Sequence, residues 1–241
     1  QCINLSSVKF LGNGSVIEYN SFLNCSKLKD FSLPDSVSSI GSKCFDHCIS
    51  LPSVTIGKNC TEIQSDAFIS CVSISTIEIY GNVVTMGWGI FFNCVNLMSV
   101  TIYGNLSSIP QSMFKNCINL SSIVFHCNVS SIGSMAFQNC SKLESISIPL
   151  NVSSIESFAF HECKKLSSIT IPAKVSSIGS QSFYKCDNLL SVTILGDILN
   201  SGNNIFSYCG NLQNVLIYGN LLSIESYMFK NCMNLTHFTV Y

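Results

Sequence analysis

Charge is scarce in this chain of 241 residues. Twelve basic and thirteen acidic side chains, 10% of the total, leave a net charge of −1. Nucleic acid and anionic membrane surfaces call for a basic excess, so neither is expected as a partner. Histidine is scarce too. Its four copies, His47, His126, His161 and His237, share no neighbouring carboxylate and nucleophile. No G-x-S-x-G, phosphate-binding glycine loop or G-x-G-x-x-G occurs, so hydrolase, phosphoryl-transfer and dinucleotide chemistries lack their residues. No catalytic residue and no cofactor is expected. Long apolar runs are missing. The longest uncharged stretch, Ile79 to Phe114, is interrupted by Gly, Asn, Ser and Pro110, which makes a poor membrane span. No signal peptide is visible, and the text opens at Gln1-Cys2-Ile3 and closes at Thr239-Val240-Tyr241 in mid-pattern, so any leader or anchor is expected outside it. The expectation is one domain, 1–241, of about ten units, a fragment of a longer chain without its caps.

What the chain does have is a period. Cys2, Cys25, Cys48, Cys71, Cys94, Cys117, Cys140, Cys163, Cys186, Cys209 and Cys232 stand 23 residues apart. Phe22, Phe45, Phe68, Phe91, Phe114, Phe137, Phe160, Phe183, Phe206 and Phe229 keep the same step, with no insertion or deletion. Hydrophobic residues make up 47% and are spread evenly through the repeats. Such self-similarity marks a solenoid, in which each unit buries its apolar face against the next.

The unit from Cys140 to Glu162 shows its parts. Ile146 and Ile148 alternate with Ser145 and Ser147, the period of a short strand with one buried face. Pro, Gly or Asn follow as a turn. The segment Ser157 to Cys163 has adjacent apolar residues and better helix formers, which predicts a turn or two of α or 3₁₀ helix. Stacked strands repeat every ~4.8 Å, whereas helices need about 8–10 Å. The helical side must spread wider, and the array is expected to bend with a parallel sheet on its concave face.

Each ladder cysteine has three readings. Metal ligation fails, because the thiols lie a full coil apart and no CxxC or Cys-His cluster repeats; Cys44, His47 and Cys48 are an isolated hint. Disulfides between coils are within reach, but every thiol has two equivalent neighbours. Buried free thiols packing as small hydrophobes fit best. Cys25, Cys48, Cys71, Cys94, Cys117, Cys140, Cys163, Cys186 and Cys209, with Phe45, Phe68, Phe114, Phe137, Phe160 and Phe183, form the expected core ladder. Cys44 and Cys60 join it, and Cys127 is the thiol expected to be exposed. Ser201 replaces the Ile of neighbouring units and is expected to weaken or widen the solenoid over residues 197–204.

The candidate binding residues lie between the inward strand positions. Lys9, Ser32, Thr55, Glu78, Thr101, Thr170, Thr193 and Thr239 form one outward column, and Asp30 stands in a second beside Ser7, Ser53 and Thr76. Ser and Thr also simply suit exposed strand positions. A rim carries Tyr80, Tyr103, His126 and Tyr218, amphipathic rings suited to contact or to covering the core margin. Ten Asn-x-Ser/Thr sequons occur, Asn13, Asn59, Asn105, Asn119 and Asn128 among them; the repeat generates such triplets by itself.

The pattern L-x-x-L-x-L appears in Leu28-Lys29-Asp30-Phe31-Ser32-Leu33 and in Leu166-Ser167-Ser168-Ile169-Thr170-Ile171. The run from Ile171-Pro172 through Val175, Ile178-Gly179 and Phe183 to Cys186 and Leu189 resembles the BspA-like leucine-rich-repeat family over the whole chain. The resemblance implies a right-handed leucine-rich-repeat arc of mixed α/β class. It also implies a surface-displayed or secreted, adhesin-like module recognising a host protein or glycan, with no catalytic residues to carry over. An intracellular interaction scaffold is the alternative, motivated by the free thiols and the missing leader, and a structural spacer is a third. Exposed end coils would allow self-association.

Overall fold

The computed structural model describes residues 2–12 and 14–241; the sequon at Asn13 lies outside the described residues. Each coil passes along three sides, and like positions pile up with a register step of one repeat. The first side carries Ser7–Val8, Asp30–Phe31, Ser53–Ile56, Thr76–Ile79, Ser99–Ile102, Ser122–Phe125, Ser168–Ile171, Ser191–Ile194, Asn214–Ile217 and His237–Val240. All pair in parallel, as in Val54 with Ile77 and Ile77 with Val100. The second side carries two-residue strands such as Ser39–Ile40, Glu62–Ile63, Ser154–Ile155 and Ser177–Ile178, again parallel. Alternation buries Val54 and Ile56 and leaves Ser53 and Thr55 in solvent.

The third side corrects the expectation of helix. No helix or 3₁₀ segment is present among the described residues; the run that includes Ser157 to Cys163 is a chain of turns. The reason lies in where its N–H groups go. Phe45 donates to Ala67 of the following coil at 2.8 Å and His47 to Ile69 at 3.0 Å. Between them, Cys44, Asp46 and Cys48 donate three residues back, to Gly41, Lys43 and Phe45. An α-helix needs every N–H for the carbonyl four residues earlier, and here alternate ones are committed to another coil. Two residues per coil also take left-handed backbone, Lys43 (φ 52°) and His47 (φ 57°), then Asp66 and Ser70, and so on at the same step. Asparagine fills that place directly before the ladder cysteine at Asn24, Asn93, Asn116, Asn139 and Asn231, because its short polar side chain tolerates left-handed backbone.

Without helices, helix width is no longer a source of curvature. The ladder phenylalanine rings stack 4.9 Å apart at Phe45–Phe68 and 5.8 Å apart at Phe91–Phe114, up to about 1 Å wider than the ~4.8 Å strand repeat. The side of the longer strands is therefore called the strand face below.

The core is a set of columns. Phe45, Phe68, Phe91, Phe114, Phe137, Phe160, Phe183 and Phe206 are all enclosed, as are the cysteines from Cys25 to Cys209 on the ladder and the off-phase Cys44 and Cys60. All the cysteines are free thiols. Each ladder thiol from Cys48 onward donates to the Phe carbonyl of the preceding coil, as in Cys71 Sγ to Phe45 O at 3.0 Å and Cys117 Sγ to Phe91 O at 3.3 Å. The same carbonyl accepts the Cys N–H of its own coil, as Phe45 O does from Cys48 at 3.0 Å. Cysteine thus fills a small apolar site and supplies a donor that alanine lacks. Cys127 is half-buried, and Cys2 is the fully exposed thiol.

Proline borders both breaks of the strand face and the central break of the second side. The strand face is split between Asp30–Phe31 and Ser53–Ile56, and again around the coil of Ser145–Ile148, which pairs with neither neighbour. Pro34 and Pro52 border the first break, and Pro149 and Pro172 the second. On the second side, the sheet ending at Thr85–Met86 and the one beginning at Ser131–Ile132 are separated by the coil of Ile109-Pro110. Proline has no N–H to offer a ladder. Where Tyr103 and Leu195 donate to Ile79 and Ile171 of the preceding coil at 2.8 and 3.0 Å, Pro149 and Pro172 cannot.

Ser201 sits in the inward column between Ile178 and Ile224, paired with Ile178 in the sheet. An apolar gap lies against it, walled by Ile178, Ile198, Ile205, Leu221 and Met228 among others. Ser201→Ile restores the isoleucine of the neighbouring Ile178 against this gap and is expected to stabilise the fold by about 1–2 kcal/mol through added apolar burial. Urea denaturation checks it; an unchanged or lower midpoint would mean that the site has no room.

Candidate binding face

The strand face holds the outward residues in rows because parallel registry places equal repeat positions opposite each other. Thr55 pairs with Glu78, Glu78 with Thr101 and Thr101 with Val124. Thr170 pairs with Thr193, Thr193 with Leu216 and Leu216 with Thr239. Asp30 stands opposite Ser7, with Lys9 and Ser32 just beyond their strands. None of these candidates is buried. The structure therefore brings them together as three groups, divided at the two proline-bordered breaks. The face is nearly uncharged, and neither ion pair of the described residues, Asp46–His47 and Glu162–Lys185, lies on it.

The rim residues stack. Tyr80 and Tyr103 have ring centroids 4.6 Å apart at 7°, and Tyr103 and His126 4.9 Å apart at 4°. Tyr218 stacks on Tyr241 at 4.7 Å. Tyr103 and Tyr218 are well exposed. The hydroxyl of Tyr80 is held above its usual value by partial desolvation and by the Glu78 carboxylate, so it stays protonated and able to donate. Close passage beneath this rim requires glycine: a Cβ on Gly104 would lie 2.0 Å from the carbonyl oxygen of Gly81.

Ligation chemistry has no assembled site among the described residues, where no group of three or more His, Cys, Asp or Glu side chains converges. The hint at Cys44, His47 and Cys48 dissolves, because the thiols point inward while His47 is exposed and pairs with Asp46 at 2.5 Å. Burial also pushes the ladder thiols up, Cys94 to about 12, which removes them as nucleophiles at neutral pH.

A second aromatic column, on the turn side, was not foreseen. His161 stacks on Tyr184 at 4.9 Å, and Tyr184 tilts against Tyr208 at 5.2 Å. Lys185 lies over Tyr184 and Lys230 over both Tyr208 and Tyr227. Desolvation lowers the His161 value, and its Nδ1 is buried without a partner. Aligning the units would have revealed the column, since His161, Tyr184 and Lys230 share one repeat position. The sequons also separate: the side-chain amides of Asn59, Asn119 and Asn139 already donate hydrogen bonds, whereas Asn105 and Asn128 stand exposed in the rim turns.

A family model described as BspA type leucine rich repeat region matches residues 15–144 and 130–241. Among solved structures, a leucine-rich repeat protein from Bacteroides ovatus superposes with a TM-score of 0.69 at 24% identity. The match covers 94% of this chain and 52% of that one, so the chain spans about half its length. A leucine rich cell surface protein from Faecalibacterium prausnitzii is similar at 20% identity and a TM-score of 0.48, over 94% of this chain and 69% of that one. The T. pallidum leucine-rich repeat protein matches at 23% identity and 0.48, over 85% and 80%. No curated protein matches the chain.

Proposed function

The chain belongs to the BspA-type leucine-rich-repeat family, and from that premise we propose that it is a non-catalytic, adhesin-like binding module. It is displayed at a cell surface or secreted, and it recognises a host protein or glycan through the strand face and the aromatic rim. The observation that carries the reading is the pair of outward rows, Thr55, Glu78 and Thr101 and then Thr170, Thr193, Leu216 and Thr239, mostly hydroxyl-bearing and bordered by rings held flat against each other. Hydroxyls give hydrogen bonds in either direction, and pre-stacked rings lose little conformational freedom on contact. No helix of the described residues is long and apolar enough to cross a membrane.

The test is saturation binding of the purified chain to epithelial cells, matrix proteins and a glycan array. Paired Thr101→Ala and Tyr103→Ala changes are expected to weaken binding about tenfold or more, the loss of one aromatic anchor and one hydrogen bond. Absence of saturable binding to all three would overturn the reading. Free thiols throughout favour a second one, an intracellular scaffold, because oxidising compartments tend to pair cysteines. Labelling intact cells with an impermeant reagent separates the two.

A further inference from the structure

Glutamate is a poor strand residue, yet Glu78 stands inside a sheet. Its strand, Thr76–Ile79, pairs with Ser53–Ile56 on one side and Ser99–Ile102 on the other. Thr55 and Thr101 hold the same outward position in the flanking coils, and no other coil has an acid there. Thr55 and Thr101 face Glu78 across the ladder, Thr76 and Tyr80 flank it along the chain, and Tyr103 stands at the diagonal. None of them carries a charge. A charged side chain in a sheet ordinarily gains from an opposite charge on the next strand. Glu78 is half-buried and has no such partner, and Lys58, in the rim turn one coil earlier, makes no ion pair with it. Departures from local rules of this kind concentrate at functional sites.

Two phenols border the carboxylate. Tyr80 follows Glu78 by two residues and so emerges on the same face. Its ring lies 4.6 Å from that of Tyr103 and parallel to it within 7°. The Tyr80 hydroxyl interacts both with the Glu78 carboxylate and with the Tyr103 hydroxyl, so oxygens of three side chains meet at one place. Ring faces are less available, because Tyr103 is covered by Tyr80 on one face and by His126, at 4.9 Å, on the other. What the cluster presents to a partner is its oxygens and one full negative charge.

That chemistry selects among ligands. An anion is repelled. A neutral sugar offers hydroxyls but leaves the charge uncompensated. A divalent cation seeks several acidic or imidazole ligands, and no group of three converges among the described residues. A guanidinium gains most where an aromatic face is free for stacking, and both faces of Tyr103 are taken. A primary ammonium has three donors and no acceptor, which suits a carboxylate beside two phenol oxygens.

We propose that Glu78, with the hydroxyls of Tyr80 and Tyr103, receives the ammonium group of a lysine side chain on the partner protein. This inference rests on the proposed binding role and narrows it: the ligand is a protein, and a basic side chain anchors it in the group of coils from Thr55 to Thr101.

The experiment uses a phage-displayed library of random twelve-residue peptides, selected on the chain and counter-selected against Glu78→Gln. The variant keeps the shape of the side chain and removes its charge. Selected peptides are expected to contain lysine and to bind the variant at least about tenfold more weakly, the loss of a charge-assisted hydrogen bond. Acetylating the peptide lysine tests the site without touching the fold of the protein. It is expected to cost a similar factor against the native chain and little against Glu78→Gln. Tyr103→Phe keeps the ring stack and removes one hydroxyl, and a smaller loss of about two- to tenfold is expected. Failure to select any peptide that distinguishes the two proteins, selected peptides without lysine, or unchanged binding after acetylation would each overturn the proposal. If cells or matrix still bind the chain saturably in that case, the adhesin-like reading survives and only the lysine site is lost.

Discussion

Carried from about pH 8 to about pH 10, the protein is expected to lose most of its stability, far more steeply than an ordinary domain of its size. The cause is the thiol column. Burial raises Cys71, Cys94, Cys117, Cys140, Cys163 and Cys186 above the ordinary thiol value, with Cys94 at about 12; Cys209 is raised first by its interaction as donor to the Cys186 thiol and then by burial. In the unfolded chain the same thiols ionise near pH 8.5–9. Below that value both states keep their protons and stability is fully present. Above it the unfolded state releases protons that the folded state retains, so stability falls as pH rises. One pH unit above the unfolded value, each thiol has removed about 1.4 kcal/mol, and seven together remove on the order of 10 kcal/mol. That matches the whole stability of a typical domain, about 5–15 kcal/mol. Urea denaturation at stepped pH measures it. Replacing Cys94, Cys117 and Cys140 by Ala is expected to shallow the fall in proportion, which separates thiols from the tyrosines and lysines that titrate nearby. A midpoint flat to pH 10, or the same slope in the triple variant, would mean that the thiols are accessible to hydroxide.

Phe137→Ala is expected to cost about 3–5 kcal/mol. Phe137 is fully enclosed and touches a ring on each side, Phe114 at 5.5 Å and Phe160 at 5.2 Å. Its removal leaves a cavity within a stack that the inter-coil hydrogen bonds keep from collapsing, as in Phe137 N–H to Ala159 O at 2.8 Å. Solenoids hold their stability as nearest-neighbour interfaces, so the loss concentrates in the coils of Phe114, Phe137 and Phe160. Denaturation gives the total, and hydrogen exchange gives its location. A change under about 0.5 kcal/mol would be that of a surface position and would contradict the enclosed stack.

The third side shows why part of the fold escaped a reading of the text. Ser157 to Cys163 contains good helix formers, and propensity alone favours helix. The competing instruction is Asn before the ladder cysteine, at Asn93, Asn116 and Asn139, which marks left-handed backbone. It is weak because Phe158, Glu162 and Lys185 take the same backbone with ordinary side chains. Those residues bear the local strain because the next coil accepts their N–H groups or those beside them. The candidate face was legible as columns, since exposure follows from alternation along each strand. Its division into three groups was not, although Pro34, Pro52, Pro149 and Pro172 stood in plain view, because a proline at a strand end is harmless until its neighbour needs the missing donor.

By itself, the 23-residue step determined the stacking, the membership of the phenylalanine and cysteine columns and the outward position of Thr55, Thr101, Thr170 and Thr193, because a strict period forces like residues into contact whatever the path between them. Tertiary structure alone decided that alternate N–H groups of the turn side bond to the next coil instead of to their own turn, that no helix forms there, and that the strand face opens at Ser145–Ile148. The physical reason is common to all three: a backbone N–H has one partner to choose, and the choice between its own turn and the adjacent coil depends on a neighbour a full repeat away.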